Sequence, residues 1–123
     1  MKTKLSPKDI INLHIESDKI IDVASMSGDY KTNNKEFKKR NKLFKILEED
    51  LDMAKEVYEQ LLAHDCITTK ISAASECLKL GIYTSKAEQI LEEISKREDI
   101  GIRRFNAEMV LKVWRGEFPG KTL

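Results

Sequence analysis

The chain has little of what breaks or staples a fold. Its two prolines, Pro7 and Pro119, lie near its ends. Nothing between them forces a helix to stop. Its two cysteines, Cys66 and Cys77, are eleven residues apart. On one helix they would stand about 16 Å apart along the axis, beyond disulfide reach. That excludes a disulfide-built mini-domain and points to free thiols in a reducing compartment. Five glycines form neither GxGxxG nor GxxxxGK, so no phosphate-cradling loop is present. No run approaches the ~20 apolar residues that span a bilayer. The N-terminal segment also lacks the apolar core of a signal peptide. A cytoplasmic protein with no membrane association is the expectation. Neither charge sign dominates: 22 Lys and Arg face 21 Asp and Glu, a net charge of +1 over 123 residues. A uniformly basic protein is thereby excluded.

What the chain does have is helical periodicity. Apolar residues recur at three- and four-residue spacing, and alternating runs are absent. Six helices are expected. Ser6-Pro7-Lys8-Asp9 is a capping-box start with proline at the first helical position. The Glu16-Ser17-Asp18 cluster is expected to divide this first segment into two short helices, and Gly28 to close it. A second helix is expected over 32–49. At about 100° per residue, Tyr30, Phe37, Phe44, Leu47 and Leu51 share one face. Lys31, Lys35, Lys38, Lys42 and Lys45 lie opposite, within about 40° of a common line. Further helices are expected over 52–63, 67–80, 85–97 and 100–115. Short connections make neighbouring helices antiparallel.

An internal period of 33 residues aligns segment 53–80 with segment 86–113. Ala54 meets Ala87, Glu59 meets Glu92, Ile67 meets Ile100, Ala74 meets Ala107 and Leu78 meets Leu111. One such helix pair cannot bury its own apolar face, whereas stacked pairs share a core. The domain organisation read from this is one domain over 1–123. An irregular N-terminal hairpin occupies 1–51, a first repeat 52–83 and a second repeat 84–116.

Asp99-Ile100-Gly101-Ile102-Arg103, followed by Ala107, resembles the HEAT-repeat pattern of Asp, aliphatic residue and Arg at the start of an inner helix. The stretch from Gly28 to Lys35, then Leu61-Leu62-Ala63-His64-Asp65, Ala73-Ala74 and Leu111-Lys112-Val113-Trp114-Arg115-Gly116 are similar to a small bacterial HEAT-like family known only as a domain of unknown function. The resemblance implies an all-α fold, a right-handed α–α superhelix of stacked hairpins. It implies no reaction.

Lys31, Lys35, Lys38, Lys42 and Lys45 form a basic stripe that would neutralise phosphates, with Lys39 on its flank. No aromatic residue is expected on that face. Asn33 and Arg40 point toward the apolar side of their helix, so a polar ligand or partner site is read around Tyr30, Asn33, Asn34 and Arg40. Thr69, Lys70, Arg103, Arg104 and Asn106, at the starts of the second helices of the two repeats, would line a concave face. His14 and His64 are lone histidines without a ligand spacing, so no metal or cofactor is expected. His64-Asp65-Cys66 reads as a helix-terminal histidine and an N-cap aspartate rather than a nucleophile pair. Trp114, spaced helically with Leu111 and Phe118, reads as a core anchor.

The functional expectation is a non-enzymatic binding module that takes another protein on its concave face, through Lys70, Arg103 and Arg104. The alternatives are a nucleic-acid-associated protein using the lysine stripe and an immunity-type inhibitor of a toxin. Charge is segregated along the chain: residues 31–47 sum to +6 and residues 48–65 to −6. Pairing between these blocks would weaken the nucleic-acid reading.

Overall fold

The computed structural model describes residues 5–116. Six helices and no strand occur among them: α1 (Pro7–Ser27), α2 (Tyr30–Glu48), α3 (Leu51–Leu62), α4 (Ile67–Leu80), α5 (Thr84–Ser95) and α6 (Ile102–Trp114). The all-α expectation holds. The chain divides into two compact units, residues 1–64 and residues 65–123. The division falls between α3 and α4, inside the segment 52–83.

In the first unit, α1 begins at the capping box. Ser6 Oγ accepts from the Asp9 amide and Asp9 Oδ2 accepts from the Ser6 amide, each at 3.1 Å. These bonds hold the Asp9 carboxyl below its usual range. The helix runs unbroken through Glu16-Ser17-Asp18, where a division was expected. Ser17 and Asp18 are buried, and Asp18 is satisfied by a partner from α2 instead of by competing with its own backbone. At Gly28 the backbone turns left-handed, with φ of 72°, and the next amide returns to the Ala24 carbonyl at 2.8 Å. Glycine takes this conformation without the penalty a Cβ brings. Asp29 immediately caps α2, accepting from the Thr32 amide at 3.1 Å and its hydroxyl at 2.6 Å. A two-residue link therefore folds α2 back along α1. Asn33 bonds Ser25 near the turn, while Arg40 bonds Asp18 and His14 further away, which is the antiparallel order. The third helix packs on both α1 and α2. Ile10, Leu47, Ala54 and Val57 are completely buried.

The aromatic side of α2 is not its buried side. Glu36, Arg40, Leu43 and Leu47 are buried, whereas Tyr30, Phe37 and Leu51 are exposed. The helix is turned roughly 90° from the orientation its aromatics imply. Both the polar partners supplied by α1 and the leucines are accommodated in this rotation.

In the second unit, α5 packs on α4 and α6, and α4 also meets α6. Gly81, with φ of 76°, stops α4. Tyr83 then enters the left-handed region at φ of 49°, the N-cap of α5, where a side chain costs roughly 1–2 kcal/mol. The 33-residue shift carries α3 onto α5 end for end, 12 residues each. It also carries the buried Ala54, Tyr58 and Leu61 onto the buried Ala87, Leu91 and Ile94. Ala74 and Leu78 of α4 correspond likewise to Ala107 and Leu111 of α6, all buried.

Candidate functional site

The first unit is organised around a buried polar network. His14 and Asp18 lie one turn apart on α1, and Arg40 reaches them from α2. Asp18 Oδ1 accepts from Arg40 Nη1 at 2.5 Å, Asp18 Oδ2 lies 3.0 Å from His14 Nδ1, and Arg40 Nη2 lies 2.8 Å from His14 Nε2. All three residues are buried. A guanidinium only donates. His14 Nε2 must therefore accept, which places the imidazole proton on Nδ1, donated to Asp18. These three side chains thus contribute one cation, one anion and one neutral imidazole, with both ring nitrogens engaged. Buried charges arranged this way are compensated, though the pair itself adds little net stability. It also fixes which side of α2 faces outward.

That outward side carries the lysine stripe. Lys31, Lys35, Lys38, Lys42 and Lys45 are all exposed. None of the five has an ion-pair partner among the described residues. The pairing expected between the +6 and −6 blocks is not made by these lysines. Lys39, on the flank, does pair, at 3.2 Å from Glu36 Oε2. The stripe extends about 21 Å along the helix axis. Tyr30 and Phe37, 68% and 51% exposed, stand about 110° round the helix from the centre of the stripe. They are seven residues apart, so they share one line of the helix about 10 Å apart. No aromatic is interleaved on the lysine line itself; the rotation of α2 exposes these two rings on the neighbouring side of the helix. Asn34 and Asn41 are exposed on the same helix.

The four residues read as a polar site do not stand together. Arg40 is inside, Tyr30 and Asn34 are outside, and Asn33 is half-buried with its Nδ2 donating to Ser25 Oγ at 3.2 Å. In the second unit Thr69 is buried and Lys70 half-buried. Arg103 Nε donates to Thr68 Oγ1 at 3.1 Å, while Arg104 and Asn106 are exposed. Asp99 pairs with Arg97 at 2.7 Å. Trp114 is 44% exposed and lines a cavity of about 490 Å³ with Leu78, Met109, Val110 and Val113, so it is no core anchor. It shares the helix line of the buried Ala107 and Leu111 but stands at the last residue of α6, where its ring is left partly exposed. Phe118 lies outside the described residues.

Cys66, not Asp65, occupies the N-cap of α4, and it makes no side-chain capping bond. Cys77 is buried, and burial pushes its thiol up to about 12. A thiol held neutral in this way is a packing group, not a nucleophile. Among the described residues no group of three or more His, Cys, Asp or Glu side chains is placed to hold a metal ion. No helix among them is long and apolar enough to cross a membrane.

Sequence reasoning found Arg40 but missed His14, Asp18, Ser17 and Glu36. A signal existed. On α1 the apolar line of Ile10, Ile21 and Ala24 runs past His14, Ser17 and Asp18, so these polar residues sit inside the buried arc. No family model, no curated protein and no solved structure matches the chain.

Proposed function

We propose that the protein is a non-enzymatic binding module that takes single-stranded nucleic acid along the lysine face of α2. The observation that carries this is the combination of five exposed lysines free of ion pairs with exposed Tyr30 and Phe37 on the same helix. Lysines neutralise phosphates irrespective of sequence. Exposed rings offer stacking platforms for unpaired bases, each worth about 1–3 kcal/mol. A duplex hides its base faces, so the rings favour a single strand. The non-enzymatic part is supported by the buried network, whose three side chains engage one another.

The test is fluorescence anisotropy of a labelled 20-nucleotide single strand at low and physiological salt. Binding at low salt that weakens with salt, and is lost in K35E/K38E/K42E, supports the reading. No binding at low salt, or binding indifferent to those substitutions, overturns it.

A protein partner is the second reading. It is favoured by α6, which exposes Ile102, Phe105, Val113 and Trp114 beside Arg104. A HEAT-like scaffold, supported by the 33-residue period and the matched lengths of α3 and α5, would carry that surface, and toxin neutralisation is one form such binding takes. Charge reversal of Arg103 and Arg104 that leaves a protein complex intact would remove the start of α6 from the interface. Two free cysteines, one of them buried, fit a reducing cytoplasmic setting.

A further inference from the structure

A cavity of about 360 Å³ opens between α1 and α2. Its walls are apolar, formed chiefly by Leu13, Ile20, Leu43 and Ile46. Two polar side chains in its lining are themselves almost wholly buried. Ser17 is 5% exposed, and its hydroxyl has no hydrogen-bond partner. Glu36 is 4% exposed, and its Oε2 accepts from Lys39 Nζ. A third acceptor, Glu16, stands at the rim.

Buried polar groups are normally satisfied, so an orphaned hydroxyl beside a buried carboxylate in an apolar cavity asks for a ligand. The volume suits a small molecule, not a macromolecule. Its polar end must donate, because Glu36 and Glu16 accept only and Ser17 accepts readily. An alcohol supplies one donor, whereas a primary ammonium supplies three and also neutralises a carboxylate. A carboxylate ligand would be attracted by Lys39 and Lys42 at the rim but would face Glu36 inside.

The geometry points to a binding site for a primary alkylamine, with the ammonium among Glu36, Ser17 and Glu16 and the aliphatic body against Leu13, Ile20, Leu43 and Ile46. Lys39 is then the ammonium's competitor for Glu36. Of its lining, Lys42 alone belongs also to the lysine stripe, so the site stands whether or not nucleic acid binds that face.

The experiment is a titration of the ¹⁵N-labelled full chain with hexylamine, hexanol and hexanoate, followed by amide shifts. Hexylamine should shift residues 13–20 and 36–46 saturably, at least tenfold more tightly than either analogue. E36Q should weaken it tenfold or more. K39M, which removes the competitor at an exposed position, should tighten it about threefold or more. I46W, which fills the cavity from its mouth, should abolish it. Unsaturable shifts, equal or better binding of hexanol or hexanoate, or weaker binding by K39M overturns the site. The K39M and probe comparisons decide the matter even where E36Q does not fold.

Discussion

Arg40 of α2 places Nη1 2.5 Å from Oδ1 of Asp18 of α1, 22 residues earlier in the chain, and both are buried. This pair joins α2, which carries the lysine face, to α1, with which it encloses the apolar cavity. Breaking a buried ion pair from one side leaves an uncompensated charge. Asp18→Ala should therefore lower the stability of the first unit by about 3–5 kcal/mol, read from urea denaturation. Replacing His14, Asp18 and Arg40 together with apolar residues of similar volume should restore most of that loss. A single substitution costing under about 1 kcal/mol would show the pair to be dispensable.

The partnership was only half legible in the sequence. The inward angle of Arg40 follows from helical geometry alone. Its partner does not, because Asp18 sits in an acidic-looking cluster that reads as a solvated break. Local propensity cannot anticipate a satisfier supplied by another helix. The same limit explains Phe37. Hydrophobicity alone places a phenylalanine inside, but the rotation of α2 is set by Arg40, Leu43 and Leu47 together. Helix ends, by contrast, were legible to within about two residues. Capping box, glycine and aspartate act through bonds made within a turn.

For the lysine face, the salt dependence supplies a number. If all five lysines contact phosphates of a single strand, log K should fall against log salt with a slope of about −3.5. Each lysine changed to glutamine should reduce that slope by roughly 0.7. Phe37→Ala should leave the slope unchanged while weakening binding about tenfold, the loss of one stacked base. Anisotropy titrations between 25 and 300 mM salt read both quantities. A slope that changes with Phe37→Ala and not with the lysines would reverse the assigned roles.

The buried thiol makes stability fall in alkali. Cys77 keeps its proton in the folded chain up to about pH 12, while an unfolded thiol loses it near 9.0. Above pH 9 the unfolded state therefore binds fewer protons, so stability declines as pH rises toward 12. Urea midpoints at pH 8 and 10.5 should diverge in the wild type and converge in C77A. Below pH 8 the thiol should resist alkylation unless the chain is unfolded.

In acid the caps act with the opposite sign. The hydrogen bonds of Ser6 hold the Asp9 carboxyl low, and those of Thr32 hold Asp29 low. Their contribution is complete above the ordinary aspartate range and is lost as pH falls through the depressed folded values. Helicity at 222 nm should fall below about pH 4. In D9N and D29N that part of the acid response should be smaller. An unchanged acid profile in both variants would show that other carboxylates govern it.

The polar network between α1 and α2 has one more consequence. Leucine against leucine tolerates sliding, because one greasy contact resembles the next. Three groups with fixed donors and acceptors do not. Moving α2 by one residue along α1 turns Arg40 through about 100° and strands Asp18 without its cation. The network therefore serves as a proofreading device for helix alignment, rejecting near-miss packings that an all-aliphatic seam would accept. The rows of lysines and rings on the outside owe their fixed bearing to that rejection.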